Sequence, residues 1–202
     1  SGENLSFDID VMGVVKAGTL TLAVQQPMLG STLVPLRARV KNTSVFAKVR
    51  KVTGLAMSWV TLKTLKPDRY REEAIEDGVH KATDSQISTY AKRPAVVIES
   101  QLGESKKTDV YDRKGELLDL VSSLYYLRAV DLKPGQPICF DLVGNRRLWR
   151  ITGTVAAKPE RVESQAGIFD TIRIDGVATR ADLAKSSRVI HIWISTDARR
   201  LP

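Results

Sequence analysis

The sequence predicts an antiparallel all-β protein of about nine or ten strands with a single helix. Apolar residues recur at every second position through most of the 202 residues, which is the period of a strand with one buried face. The runs are bounded by Gly, Asn, Asp and Pro, the residues that turns require. Only LLDLVSSLYYLRAVDLKPG, Leu117 to Gly135, departs from that period, with leucines, a valine and two tyrosines at helical spacing.

Leu5, Phe7, Ile9 and Val11 alternate with Ser6, Asp8 and Asp10, and the register resumes at Leu20, Leu22 and Val24. Two strands joined around Gly13 and Gly18 follow from that pattern. After Pro27, Gly30 and Pro35, RARVKNTSVFAKVRKV restarts the alternation with Arg37, Arg39 and Lys41 on one wet, basic side. Leu55, Met57 and Trp59 continue it. The following KPDRYREEAIEDGVHKATDSQIST contains helix formers, but Asp77-Gly78 is a hairpin signal because glycine tolerates the positive φ of a tight turn. No sustained helical stripe surrounds it, so a hairpin is expected. AVVIES reads as a buried strand and KKTDVYDRKG as a polar one.

The helix is predicted over about 116–130. Leu117, Leu120, Val121, Leu124, Leu127 and Arg128 fall on one face, with Tyr125 leaning toward it, while Asp119, Ser122, Ser123 and Tyr126 fall on the other. Lys133-Pro134-Gly135 ends it. ICFDLV, RLWRITGTVAA, FDTIRIDGVAT and RVIHIWIS are four further strands rich in β-branched and aromatic residues. No internal repeat or low-complexity tract occurs, and the length suits a single domain over 1–202.

Lys and Arg number 31 against 23 Asp and Glu, a formal net charge of +8. That balance admits nucleic acid, anionic lipid or acidic glycan as partners. No run approaches the roughly 18 consecutive apolar residues of a membrane-spanning helix. The sequence opens at Ser1-Gly2 without a leader, so either a signal peptide has been removed or the chain trimmed. Cys139, the one cysteine, excludes an intramolecular disulfide and a thiolate-rich metal site, and a small buried or half-buried role is expected for it between Ile138 and Phe140.

His80 and His191 have no second ligand at metal-like spacing and read as ordinary strand or surface histidines. There is no GxSxG elbow and no glycine-rich phosphate loop before a helix. The carboxylates Glu72, Glu73, Glu76 and Asp77 alternate with Arg69, Arg71 and Lys81, as on a solvated, ion-paired surface. Basic clusters at Arg37 to Lys51, Lys106-Lys107, Arg113-Lys114 and Arg146-Arg147 with Arg150 include only Phe46 and Trp149 as stacking aromatics, which disfavours single-stranded nucleic acid. Trp59, Trp149 and Trp193 all lie in strands. Packing is their default role, and ligand stacking the alternative.

SSLYYLRAVDLKPGQPICFDLVGNRRLWRITGTV, then VESQAGIFDTIRI and IHIWISTDARRLP, resembles the bacterial domain-of-unknown-function family 3108. Its members show "dplSaLYYlR…LkpGd", "vpaGtfdairv" and "iWlSdDarrlPvr" segments. VMGVVKAGTLTLAV is similar to the family's "lGi.aGeatl.v", and Leu65 to Tyr70 to its "dp.tl.P.ry" stretch. The resemblance covers nearly the whole chain. It implies an exported protein of the periplasm or outer envelope of a Gram-negative bacterium, with a strongly curved antiparallel sheet or partial β-barrel and no established enzyme activity. The sequence departs from the family where Val121-Ser122 stands for the usual Asp-Pro before the helix. Family members usually continue past the position of Pro202, so a final C-terminal edge strand is expected to be incomplete or the chain cut.

These readings converge on a non-enzymatic envelope binding module. The helix would pack on the concave face or open end of the sheet, and a groove or cavity would take a lipid-like or glycan ligand. A lipid would suit a hollow interior; a glycan would want an exposed tryptophan ringed by Asp, Asn and Arg. The alternative is a structural or assembly partner of envelope proteins that uses exposed sheet edges. Candidate ligand-contacting residues are Trp59, Tyr126, Arg128, Trp149, Trp193, Asp197 and Arg199. No catalytic residue, metal or cofactor is expected.

Overall fold

The computed structural model describes residues 2–11, 15–90, 93–112 and 115–202. The expected Gly13 turn and the Arg113-Lys114 cluster lie outside the described residues. The all-β class with one helix holds, and the strands divide into two sheets.

The first sheet is a meander of eight antiparallel strands in sequence order: β1 (Asn4–Val11), β2 (Val15–Val24), β3 (Leu33–Asn42), β4 (Val52–Thr61), β5 (Pro67–Glu76), β6 (Val79–Tyr90), β7 (Arg93–Leu102) and β8 (Ser105–Asp112). Between β3 and β4 the chain makes one turn of 3₁₀ helix, Phe46–Lys48. The hairpin predicted at Asp77-Gly78 forms, with φ of 49° and 82°, the left-handed pair that matches the twist of the flanking strands. Gly18 is not a turn residue. It sits inside β2 opposite Asn42, where an added Cβ would lie 2.6 Å from the Lys41 carbonyl oxygen. Close backbone approach, rather than a bend, is what this glycine permits.

The second sheet begins with β9 (Leu117–Asp119), followed by α1 (Leu120–Ala129), β10 (Pro137–Gly144), β11 (Arg147–Val155), β12 (Glu160–Ser164), β13 (Gly167–Arg180) and β14 (Ser187–Ser195). β9 pairs parallel with β10, as a strand, helix, strand crossover allows. The long β13 carries β12 and then β11 along one edge and β14 along the other. β9 and β12 are the strands that periodicity missed, because three and five residues show too few alternations to register.

The helix is shorter than expected, and Leu117 belongs to the strand before it. Leu117 and Leu118 point to opposite sides of β9 and enter different cores. One core lies on the first sheet and includes Leu22, Leu36, Val60, Tyr70, Val96 and Ile98, covered by Val121 and Tyr125 of α1 and by Val143 and Leu148. The other lies on the second sheet and includes Phe140, Ile151, Val155, Ile174 and Ile194, together with Leu127 and Leu132. The helix therefore has no fully wet side: Ser122 and Ser123, expected on the polar face, are buried, while Leu120 is 43% exposed.

Asp119 sets the geometry of the helix start. Its Oδ1 accepts the backbone N–H groups of Val121 and Ser122, each at 2.8 Å, and its own N–H donates to Ser122 Oγ at 2.9 Å. This reciprocal cap satisfies donors that the first turn would leave orphaned. Ser58 Oγ of β4 donates to Asp119 Oδ2 at 2.6 Å, which ties the helix to the first sheet. Burial raises the Asp119 carboxyl to about 6, against the lowering effect of these hydrogen bonds.

The tip of the β10–β11 hairpin makes a second tie. Asn145 and Arg146 have φ of 50° and 61°, and the Arg146 N–H donates to Thr83 Oγ1 at 2.9 Å and Glu72 Oε1 at 3.1 Å. Tyr70 and Thr83 hydroxyls also donate to Glu72. Glu72 is thus a half-buried acceptor between the sheets, not the solvated surface carboxylate expected, because it shares the inward face of β5 with Tyr70. Cys139, expected to be buried or half-buried, is exposed: Ile138, Phe140 and Leu142 take the core side of β10.

Candidate functional site

Along β11, Trp149, Ile151 and Val155 pack into the second core, so Leu148, Arg150, Thr152 and Thr154 share the opposite face. Strand register extends that face sideways. Thr152 lies beside Val177, and Val177 beside Val189; Thr154 lies beside Asp175, and Asp175 beside His191; Arg173 lies beside Trp193. At the hairpin end the face is covered, where Val143 and Leu148 meet the first core. Beyond that it is open, with Val189 71% and Trp193 36% exposed.

Five side chains from three strands form a linked group on the open part. Trp193 Nε1 donates to Glu160 Oε2 at 3.0 Å, and Arg173 Nη1 donates to Glu160 Oε1. Arg173 Nε donates to Asp175 Oδ2 at 3.0 Å, and Asp175 Oδ1 lies 2.6 Å from His191 Nδ1. The His191 and Trp193 rings, with centroids 5.9 Å apart, close the circuit. Hydrogen bonds from His191 and then Arg173 hold the Asp175 carboxyl below the usual carboxylate range. The side chains are fixed to paired strands, so an indole face, two carboxylates and a guanidinium are presented in one orientation. Such a group can stack on the apolar face of a ring while its polar atoms meet hydroxyls at the rim.

The same face ends in a cleft of about 430 Å³ between β8 and the second sheet, with Tyr111, Leu148, Asp141 and Arg150 in its wall. Arg150 clasps the buried Asp141 carboxylate through Nε at 2.5 Å and Nη2 at 3.2 Å. From Thr179, beside Arg150, to Arg173, beside Trp193, is six residues along β13, about 20 Å at strand rise.

Of the residues singled out in the sequence, only Trp193 belongs to this group. Trp59 is half-buried on the outward side of the first sheet. Trp149 packs against the second core and donates its Nε1 to the Gly144 carbonyl at 3.1 Å. Tyr126 also packs against that core. Arg128 binds both Glu3 oxygens at 2.6 and 2.7 Å and the carbonyls of Arg199 and Arg200 at 3.0 and 2.7 Å. Asp197 accepts from Ser195 Oγ at 2.7 Å and from Arg199 Nε and Nη2 at 2.8 and 2.6 Å. Arg128 therefore fastens both terminal segments to the helix and holds the Glu3 carboxyl below its ordinary range, whereas Asp197 and Arg199 pair with each other in the segment after β14. Glu160, Arg173 and Asp175 are not marked by the sequence, and His191 reads there as an ordinary strand or surface histidine. Their signal is two i, i+2 pairs, Arg173 with Asp175 and His191 with Trp193, but only the pairing of β13 with β14 makes neighbours of them.

A two-sheet β protein with one intervening helix and an open polar-aromatic face is the class that fold and site define. A family described as "Protein of unknown function (DUF3108)" matches residues 6–202, and the chain belongs to it. No curated protein and no solved structure matches the chain. No helix among the described residues is long and apolar enough to cross a membrane.

Proposed function

We propose that this protein is a non-enzymatic glycan-binding module of the Gram-negative periplasm or outer envelope, and that the glycan lies on the open face of the second sheet with one sugar ring against Trp193. The linked group of Trp193, Glu160, Arg173, Asp175 and His191 carries the reading. Its hydrogen bonds hold the indole in place before a ligand arrives, which lowers the ordering cost of binding. The neighbouring cleft lets an extended oligosaccharide continue toward Arg150. The lipid-like ligand receives less support, because α1 fills the space between the sheets. The recess beside Tyr70 and Asp119 measures about 10 Å³, room for about one water. The envelope location rests on the family resemblance.

A glycan array probed with the wild-type protein and with Trp193→Ala tests the reading. Retention of one class of oligosaccharide by the wild type and its loss in the variant is expected; silence of the wild type across envelope glycans would remove the proposal. The edge of β14 favours a second reading, as an assembly partner. Among the described residues that strand pairs with β13 alone, and its Val189 is 71% exposed, so another protein's strand could add there. Co-purification from envelope extracts that is lost on Val189→Lys would support it.

A further inference from the structure

We propose that the outward face of the first sheet, at β3 and β4, docks on a membrane surface bearing anionic phosphate headgroups. Arg37, Arg39 and Lys41 alternate along β3 and so share one side of the sheet, spanning about 13 Å. Arg39 and Lys41 are exposed and Arg37 half-buried. Among the described residues no carboxylate pairs with any of the three. On the same side of β5, by contrast, Arg71 is held by Glu73 at 2.8 Å and Arg69 by Asp84 at 2.5 Å.

The residues beside this row decide what it fits. On the β2 side the neighbours are Thr19, Thr21 and Ala23, opposite Lys41, Arg39 and Arg37, with no negative charge among them. On the β4 side, register places Leu55 beside Arg39, Met57 beside Arg37 and Trp59 beside Pro35. Leu55 is 45% exposed. A row of unpaired cations therefore runs alongside a row of apolar side chains that ends in an indole. A phospholipid surface offers the complementary pair of layers: phosphates attract the cations, and the headgroup and acyl boundary accepts tryptophan and leucine. Single-stranded nucleic acid would want several stacking aromatics in a groove, and among the described residues Trp59 is the one aromatic beside this row.

The docking is independent of the glycan site, since the two faces belong to different sheets. Co-sedimentation with phosphatidylglycerol-containing vesicles and with pure phosphatidylcholine vesicles, at low and high salt, tests it. The protein is expected to pellet with the anionic vesicles only, and less so as salt rises. Arg37→Gln/Arg39→Gln/Lys41→Gln should weaken this by about a hundredfold, at roughly fivefold per charge near the surface, with its glycan-array profile unchanged. If the triple variant fails to fold, Arg39→Gln and Lys41→Gln singly, both at exposed positions, should each give a graded loss. Equal binding to both vesicle types, or wild-type binding by folded variants, would overturn the proposal. So would charge-dependent binding to single-stranded DNA or heparin with none to vesicles.

Discussion

Asp119 shows how one residue can be right for local structure and costly for electrostatics. Its carboxyl caps α1 and reaches Ser58, yet burial raises its pKa from 3.8 to about 6. The folded state therefore holds the proton more tightly than the unfolded chain. The stabilisation this gives is fully present below about pH 4 and is lost as pH rises through about 6, by about 3 kcal/mol in all. Asn keeps the cap without the charge. Urea unfolding of wild type and Asp119→Asn across this window should show the variant gaining relative stability as pH rises; a difference independent of pH would contradict the buried-carboxylate account. Arg128 contributes differently, through charge-assisted bonds to Glu3 and to the chain end. Arg128→Ala is expected to cost about 2 kcal/mol, read as a lower urea midpoint, without altering the glycan-array profile.

At the scale of elements, the helix is a spacer shared by two cores. Leu127→Ala removes a side chain that is 1% exposed and should cost about 3 kcal/mol. The two cores were not legible in the sequence, but other parts of the fold were: the strand period marks the class, Asp77-Gly78 marks the β5–β6 hairpin, and KKTDVYD of KKTDVYDRKG falls on β8. The polar face assigned to Ser122 and Ser123 failed for a physical reason. A hydroxyl can be buried if it bonds to the helix backbone, as Ser122 does to Asp119 and Ser123 Oγ does to the Leu120 carbonyl at 3.2 Å, so polarity alone did not mark the wet side. The candidate site was less legible. Trp193 could be picked from its strand, but its partners lie on β12 and β13, and antiparallel register across three strands is not written in any one of them. Arg128, Asp197 and Arg199 lie in the most recognisable segments of the family, and there Arg128 ties the terminal segments to the helix while Asp197 and Arg199 pair with each other.

At the scale of the molecule, two sheets joined through α1, the Ser58–Asp119 bond and the Arg146 contact with Glu72 and Thr83 should unfold together. Denaturation followed by tryptophan fluorescence and by far-ultraviolet dichroism is expected to give coincident transitions; separated midpoints would mean that the cores are independent. The central claim is that the open face of the second sheet binds glycan at Trp193. Its most direct test is the fluorescence of Trp59→Phe/Trp149→Phe, in which Trp193 is the single remaining tryptophan, titrated with envelope oligosaccharides. A saturable change in Trp193 emission with at least one oligosaccharide is the result expected. Emission unchanged by every oligosaccharide, in a variant that remains folded, would contradict the account.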